Sequence, residues 1–333
     1  MSYGTQIANG SPLLGIEYAL PHLAAGVSCS SIRAKTEEFV RERQQSICQA
    51  LQNMDDSPII EEVWTSPDGC TEYIDRILRN GSVFQTIGVN VAVIQGTFTP
   101  ETARAATGGA LQVDHALPFY VASLSIVVHA QNPLVPSAHA HYRYFEAGDE
   151  KAPECWWFGG GADLTPNYLF DDDAAHFHRV HREVCDRFDR SYYPRFKKWC
   201  DDYFLIVHRG ERRGVGGIFF DNLNDHDADP LLEFSSQCAD AFIPAYLPIV
   251  EKRCGLPFTA EQERWKQLRA GRYIEFNLLY ERGTTFGLKA GGRASSILRG
   301  LPPQARWEYQ QQPTAGSPEA RMLEVLAHPR EWA

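Results

Sequence analysis

The stretch Ala138–Glu146 (AHAHYRYFE) restricts the architecture of this chain more than any other segment, because its side-chain character changes with a period of two. An extended strand there puts His139, His141, Arg143 and Phe145 on one face and Ala140, Tyr142 and Tyr144 on the other. Two histidines and an arginine on one strand face are unusual for a core. The preceding apolar run, about 120–129, gathers Ser123, Ser125, Val127 and His129 on one face in the same way. Asn132-Pro133 and Pro136 separate the two runs, so they read as an antiparallel hairpin with an irregular connection. Paired, they let His129, His139 and Ser125 line one pocket. The plainer alternative is a sheet side facing water; the repetition on two neighbouring strands favours a pocket.

Around this hairpin, Val83–Ile94 and 216–221 read as strands, as does 272–281. Helical periodicity marks 36–54, 101–107, 171–190, 194–207, 231–254, 259–269, about 293–299 and about 317–327. Strands and helices intermingle without strict alternation, which predicts an α+β fold with a largely antiparallel sheet. Residues 1–35 read as a flexible N-terminal arm and 36–333 as a single catalytic domain.

A net charge of −10 argues against nonspecific nucleic-acid binding, which needs basic patches. No run of about 18 apolar residues suggests a membrane span. The N-terminus lacks the basic start and apolar block of a secretory signal. Eight cysteines without a Cys-x-x-Cys pair read as reduced thiols, and with the other features give a cytoplasmic expectation.

Further chemistry lies downstream. His178 and His181 share a helix face, and His208 ends a helical run, where capping is its plain role. His129, His139, His178 and His208 can converge as divalent-metal ligands or as proton carriers. No His-x-x-x-His or His-Glu-x-x-His motif accompanies them. Arg213 sits in the basic turn Arg209–Gly214, and Asp221 ends an apolar strand, where a salt bridge to a nearby arginine is the alternative to a proton-transfer role. Gly291-Gly292-Arg293 opens a helix whose free N–H groups and guanidinium suit a carboxylate. No nucleotide, flavin or pyridoxal phosphate motif is visible.

Several blocks together resemble the oxygen-dependent coproporphyrinogen III oxidase family. They are Asn132–Glu146, WWFGGGADLTP (156–166), HFHR (176–179), YPRFKKWCDDYF (193–204), HRGERRGVGGIFFD (208–221), GRYIEFNLLYERGTTFGL (271–288) and ARWEY (305–309). The resemblance runs from about residue 37 to the end. It implies an antiparallel sheet flanked by helices on both sides, a homodimer, no organic cofactor, and O2 as co-substrate. The implied reaction converts two propionates of the tetrapyrrole coproporphyrinogen III to vinyl groups, giving protoporphyrinogen IX, CO2 and hydrogen peroxide. Carried over by position, His139 is the proton donor, Asp221 acts at the pyrrole N–H, and Arg213 joins them as a catalytic residue. Ser125, His141, Tyr142, Arg143, Gly291, Gly292 and Arg293 bind substrate. His129, His139, His178 and His208 match the positions of a divalent-metal set.

The chain departs from the family pattern at His141 (usually Asn), Asn222 (usually Asp), Ser295 (usually Glu), Gln95 (usually His) and the lost glycine run at 68–73. It also lacks the basic residue that the family carries just after His129. These changes leave open a paralogue oxidising another carboxylated substrate, or a non-catalytic tetrapyrrole-binding homodimer.

Overall fold

The computed structural model describes residues 29–106, 111–149, 152–289 and 293–333. Among them one sheet dominates. In chain order its strands are β1 (Ile60–Thr65), β2 (Thr71–Arg79), β3 (Phe84–Phe98), β4 (Leu117–Ala130), β5 (Ser137–Asp149), β6 (Ala152–Thr165) and, after a two-stranded ribbon of β7 (Leu205–Ile206) and β8 (Glu211–Arg212), β9 (Gly216–Leu223). The sheet order is β1-β2-β3-β4-β5-β6-β9, with every pairing antiparallel. The helices are α1 (Cys29–Gln52), α2 (Pro100–Ala106), α3 (Asp171–Phe188), α4 (Tyr192–Tyr203), α5 (Ala228–Asp240), α6 (Phe242–Arg253), α7 (Ala260–Leu279), α8 (Arg282–Lys289), α9 (Ala294–Ile297) and α10 (Pro318–Ala327). Short 3-10 turns cover Val207–Arg209 and Leu298–Gly300.

Strand alternation gives the sheet two chemically different faces. One carries Leu124, Ile126, Val128, Ala140, Tyr142 and Tyr144, and packs on Phe39, Val40 and Leu51 of α1, Phe177 of α3, Phe234 of α5 and Tyr246 of α6 in the main core. Each large side chain buried there contributes roughly 1.5–3 kcal/mol. The other face carries the polar residues of β4 and β5. It is covered by α7, with Tyr273 and Phe276 turned inward, and by the turn Leu298–Gly300, which packs on β3 and β4. The α+β arrangement with helices on both sides of an antiparallel sheet is the one expected from the sequence.

Four expectations are corrected. Residues 272–281 are not a strand: 272–279 form the second half of α7, and Tyr280 and Glu281 lie just past its end. The alternation hides a longer helical spacing of buried Trp265, Leu268, Arg269, Tyr273 and Phe276. The helix expected over 231–254 breaks into α5 and α6 at Ala241. Pro244 has no N–H to give the carbonyl of Asp240, so one continuous helix would lose a bond there. The helix expected over 194–207 stops at Tyr203, and Leu205–Ile206 pairs with β8 instead. Residues 29–35, expected in a flexible arm over 1–35, belong to α1 instead; residues 1–28 lie outside the described residues. Strands β1, β2 and β6 carry turn residues, charges or glycines that masked them in the sequence.

Candidate active site

The polar face is built in rows across the sheet. Asp75, Asn90, Ser125, His141 and Gly161 stand opposite one another on β2, β3, β4, β5 and β6. The row one step away contains Gly88, Val127, His139 and Asp163, and a third contains Ala92, Ser123, Arg143 and Gly159. The alternation read from Ala138–Glu146 therefore places His139, His141 and Arg143 on one surface, as expected.

His139 Nδ1 lies 2.8 Å from Asp163 Oδ1 on the neighbouring strand. The same carboxylate accepts from Arg213 Nη2 at 2.8 Å through both oxygens. Arg213 is 1% exposed, with its guanidinium over the rings of Phe204, Tyr273 and Phe276 at 4.1, 4.6 and 5.0 Å. Burial alone would raise the Asp163 pKa, yet Arg213 and His139 hold it below the ordinary carboxylate value. An ionised Asp163 accepts the Nδ1 proton of His139 and leaves Nε2 as the free nitrogen, so the tautomer and ring orientation are set from behind. Arg213 is too deeply covered to reach a ligand and acts through Asp163.

Arg143 and Asp221 form the second constellation. Arg143 Nη2 donates to Asp221 Oδ1 at 2.5 Å, and the backbone N–H of Asn222 donates to the same oxygen at 3.0 Å. Asn222 is held at φ 49° beside it. Arg282 of α8 approaches the other carboxylate oxygen at 4.0 Å. The pair lies over Gly159, where a Cβ would stand 2.8 Å from Asp221 Oδ1 and 3.1 Å from Arg143 Nε. The glycine is thus what lets the ion pair lie flat on the sheet. Next to it, Tyr203 stacks on Phe219 with centroids 4.1 Å apart and planes 13° apart, an aromatic wall suited to a flat ligand.

Between these constellations sit Ser125 and His141. The imidazole of His141 has no hydrogen-bond partner among the described residues. Burial, then Arg143, His139 and Arg299, hold its pKa well below the ordinary value, so it is neutral at pH 7. Asp75 closes the row. It accepts from Asn90 Nδ2 at 2.9 Å and Ser296 Oγ at 2.6 Å, and pairs with Arg299 Nε at 3.2 Å.

Other expected residues stand elsewhere. Tyr142 points to the opposite face and donates from its hydroxyl to the carbonyl of Cys238 in the core, so only its backbone belongs to the site strand. Arg293 pairs with Glu62 of β1 at 2.9 Å, on the rim. Gly291 and Gly292 lie outside the described residues.

The four histidines expected as a metal set do not converge. His178 is buried in the helical layer with its ring nitrogens against Tyr193 hydroxyl and Val215 carbonyl. His208 is held by Tyr280 and Glu275, each at 2.7 Å, rather than capping a helix. His129 is held by Ser137 and the Gly300 carbonyl, and His139 by Asp163. Among the described residues no group of three or more His, Cys, Asp or Glu side chains could hold a metal ion. The donor set does not fit a four-histidine centre, and no step below passes through one.

Sequence reasoning passed over Asp163, Asp75, Asn90 and Arg299. The first was legible in principle, since the Gly159–Gly161 run ends two residues before a carboxylate that strand pairing carries next to His139. Asp75 and Arg299 come from segments with no local signature.

Residues 35–332 match the family described as coproporphyrinogen III oxidase. The chain is 52% identical over 311 residues to the chloroplastic oxygen-dependent coproporphyrinogen-III oxidase of Glycine max, covering 92% of this chain and 80% of the relative. It is 46% identical over 306 residues to the mitochondrial oxygen-dependent coproporphyrinogen-III oxidase of Homo sapiens, covering 90% and 67%. It is 44% identical over 307 residues to the Drosophila melanogaster oxygen-dependent coproporphyrinogen-III oxidase, covering 91% and 78%.

Proposed function

The chain belongs to the coproporphyrinogen III oxidase family, and we propose from that premise that it oxidatively decarboxylates coproporphyrinogen III with O2 as co-substrate, as a step of heme biosynthesis. For each propionate, R-CH2-CH2-COOH and O2 give R-CH=CH2, CO2 and H2O2. The C–C bond to the carboxyl breaks, its electron pair forms the vinyl bond, and a hydrogen with two electrons passes to oxygen.

The observation that carries this reading is the placement of two charged constellations on one sheet face: Arg143–Asp221 at 2.5 Å and His139–Asp163 at 2.8 Å. The guanidinium edges of Arg143 not used by Asp221 suit a propionate carboxylate. The second oxygen of Asp221, the one Arg282 approaches, can accept a pyrrole N–H, which makes the ring electron-rich and reactive toward O2. His139 serves as proton donor from Nε2, which is directed away from Asp163, once that nitrogen has taken up a proton while Nδ1–H stays on Asp163. Asp163 and Arg213 are positioning residues behind it. Ser125 and His141 line the floor, the Tyr203–Phe219 stack flanks the flat ring, and Gly291-Gly292-Arg293 contributes a substrate-binding loop.

Residues 36–333 are read as one catalytic domain working in a homodimer. Exposed Ile60 and Val63 on β1, an edge strand, offer apolar surface for association. Light scattering in solution tests the dimer. The cytoplasmic expectation differs from the chloroplastic and mitochondrial names of the relatives. The free thiols Cys48, Cys70, Cys155, Cys185, Cys200, Cys238 and Cys254 support a reducing compartment. No helix among the described residues is long and apolar enough to cross a membrane.

The deciding experiment incubates the protein with coproporphyrinogen III under air beside an active relative. Vinyl product and CO2 are expected; their absence while the relative turns over would overturn the reading.

A further inference from the structure

We propose that Arg299 is a second carboxylate anchor of the site, standing across the sheet from Arg143, and that Asp75 holds its guanidinium until a substrate carboxylate takes it over. The proposal rests on the reading of the site as one for a multiply carboxylated tetrapyrrole.

Arg299 lies in the turn Leu298–Gly300 on the polar face, with its Cγ 3.6 Å from where a Cβ of Gly88 would stand. As Arg143 lies over Gly159, so Arg299 lies along the sheet over a glycine, here in ordinary van der Waals contact with where a Cβ would stand. Gly88 is on β3 and Gly159 on β6, three strand spacings apart, or roughly 14 Å across the sheet at about 4.8 Å per strand. Ser125 and His141 lie between. A flat macrocycle with carboxylates on its rim needs cationic groups at opposite edges, and this face supplies them.

The resting partners of Arg299 leave it incompletely satisfied. Asp75 Oδ1 is 3.2 Å from Nε, yet Nε makes no aligned hydrogen bond. Nη1 donates to the carbonyl of Ser296, and Nη2 has no partner among the described residues. Burial weakens the charged form of Arg299, with Asp75 opposing that effect, and leaves its pKa at about 10. The guanidinium is therefore charged at pH 7, mostly buried, and short of acceptors, the condition in which an incoming carboxylate gains most. Asp75 is independently braced by Asn90 and Ser296, so it stays in place when Arg299 changes partner.

Binding of the stable oxidised ring, coproporphyrin III with its four carboxylates, is measured by porphyrin fluorescence beside a porphyrin carrying two. Arg299→Met should weaken the four-carboxylate ring by roughly tenfold and the two-carboxylate ring by clearly less. In turnover the same variant should raise KM with kcat little changed. Asp75→Asn removes the competing charge at constant shape and should tighten the four-carboxylate ring about threefold or more. Equal effects of Arg299→Met on both rings, or weaker binding in Asp75→Asn, would make Arg299 a structural clamp of α9 and overturn the anchor. If Arg299→Met does not fold, Arg299→Lys serves the same comparison, since it keeps the Asp75 pair and loses the planar fork. Because binding is read without turnover, an inactive wild type that still discriminates by carboxylate number would fail the proposed reaction and leave the anchor standing.

Discussion

His139 and Asp163 stand directly opposite each other on β5 and β6, and their 2.8 Å contact makes a neighbouring strand responsible for the tautomer of the histidine that faces the site. The same carboxylate neutralises Arg213, so one residue sustains both an orienting contact and a buried charge. Asp163→Asn should lower kcat by at least about a hundredfold, in keeping with the loss of a positioned proton-transfer group. It should also destabilise the fold by about 3–5 kcal/mol, because Arg213 is left buried without its partner. Steady-state kinetics and denaturant unfolding check the two parts separately. A variant with normal kcat would show that His139 does not need its orienting partner.

Gly159→Ala addresses the second constellation. The added methyl would stand 2.8 Å from Asp221 Oδ1 and 3.1 Å from Arg143 Nε, so the ion pair must move off the sheet. The neighbours that must shift are side-chain atoms, which keeps the cost to the fold moderate, within about 1–3 kcal/mol. Activity should fall by more than tenfold and KM should rise, since Arg143 is displaced from its carboxylate-binding position. Unchanged kinetics would mean that the flat Arg143–Asp221 geometry is not the working one.

Much of this was legible in Ala138–Glu146 and the strand before it. The period of two fixed the shared face of His139, His141 and Arg143, and the pairing of β4 with β5 brought Ser125 opposite His141. What failed has physical causes. Residues 272–281 alternate locally, yet 272–279 extend a helix whose inward side chains are set by packing on Arg213 and Phe204, which no local pattern reports. The four histidines share a residue type and a plausible spacing, yet hydrogen bonds to Tyr193, Ser137, Glu275 and Asp163 take each one to a different task. Asp75 and Arg299, 224 positions apart by subtraction of their numbers, meet only through tertiary structure.

The buried histidines give a pH dependence of stability with a definite sign. Burial lowers the pKa from 6.5 to about 4 in His129 and to about 3 in His178 and His181. Below about pH 6.5 the unfolded chain binds protons that the folded chain refuses, so stability rises with pH there. The contribution is fully present above about pH 6.5 and is lost as pH falls toward 4 and 3. Glu275, held down to about 2 by Arg209, Trp307 and His208 against its own burial, adds a further loss below about pH 4.5. His181 is the cleanest probe, since neither ring nitrogen has a hydrogen-bond partner among the described residues. His181→Leu should leave Tm at pH 7 unchanged or raise it, and should flatten the fall of Tm between pH 6.5 and 4. An unaltered slope would show that His181 does not carry this linkage.

Chelation separates the metal question from the rest. His178 sits in the helical layer and His139 on the opposite, site-facing side of the sheet, so no ordinary side-chain motion brings both to one ion. Exhaustive chelation and dialysis should leave kcat/KM within about twofold and elemental analysis should find less than one equivalent of metal. Restoration of lost activity by one divalent ion would require a ligand set different from these histidines.

His141→Asn tests what the unpartnered imidazole contributes. The ring is neutral, flanked by Arg143 on its own strand and by Ser125 opposite, and it can donate one hydrogen bond from one nitrogen and accept one at the other. An amide at the same place is smaller and offers a donor and an acceptor from one planar head. If His141 narrows the floor, the substitution should raise turnover of coproporphyrinogen III severalfold, with most of the gain in KM. If His141 instead hydrogen-bonds a substrate group that the shorter amide cannot reach, kcat/KM should drop by roughly tenfold, the cost of one buried bond left unmade. The first outcome is expected, because the protein itself supplies no partner for the ring. The second would make His141 a recognition residue for a substrate whose polar group lies closer to β5.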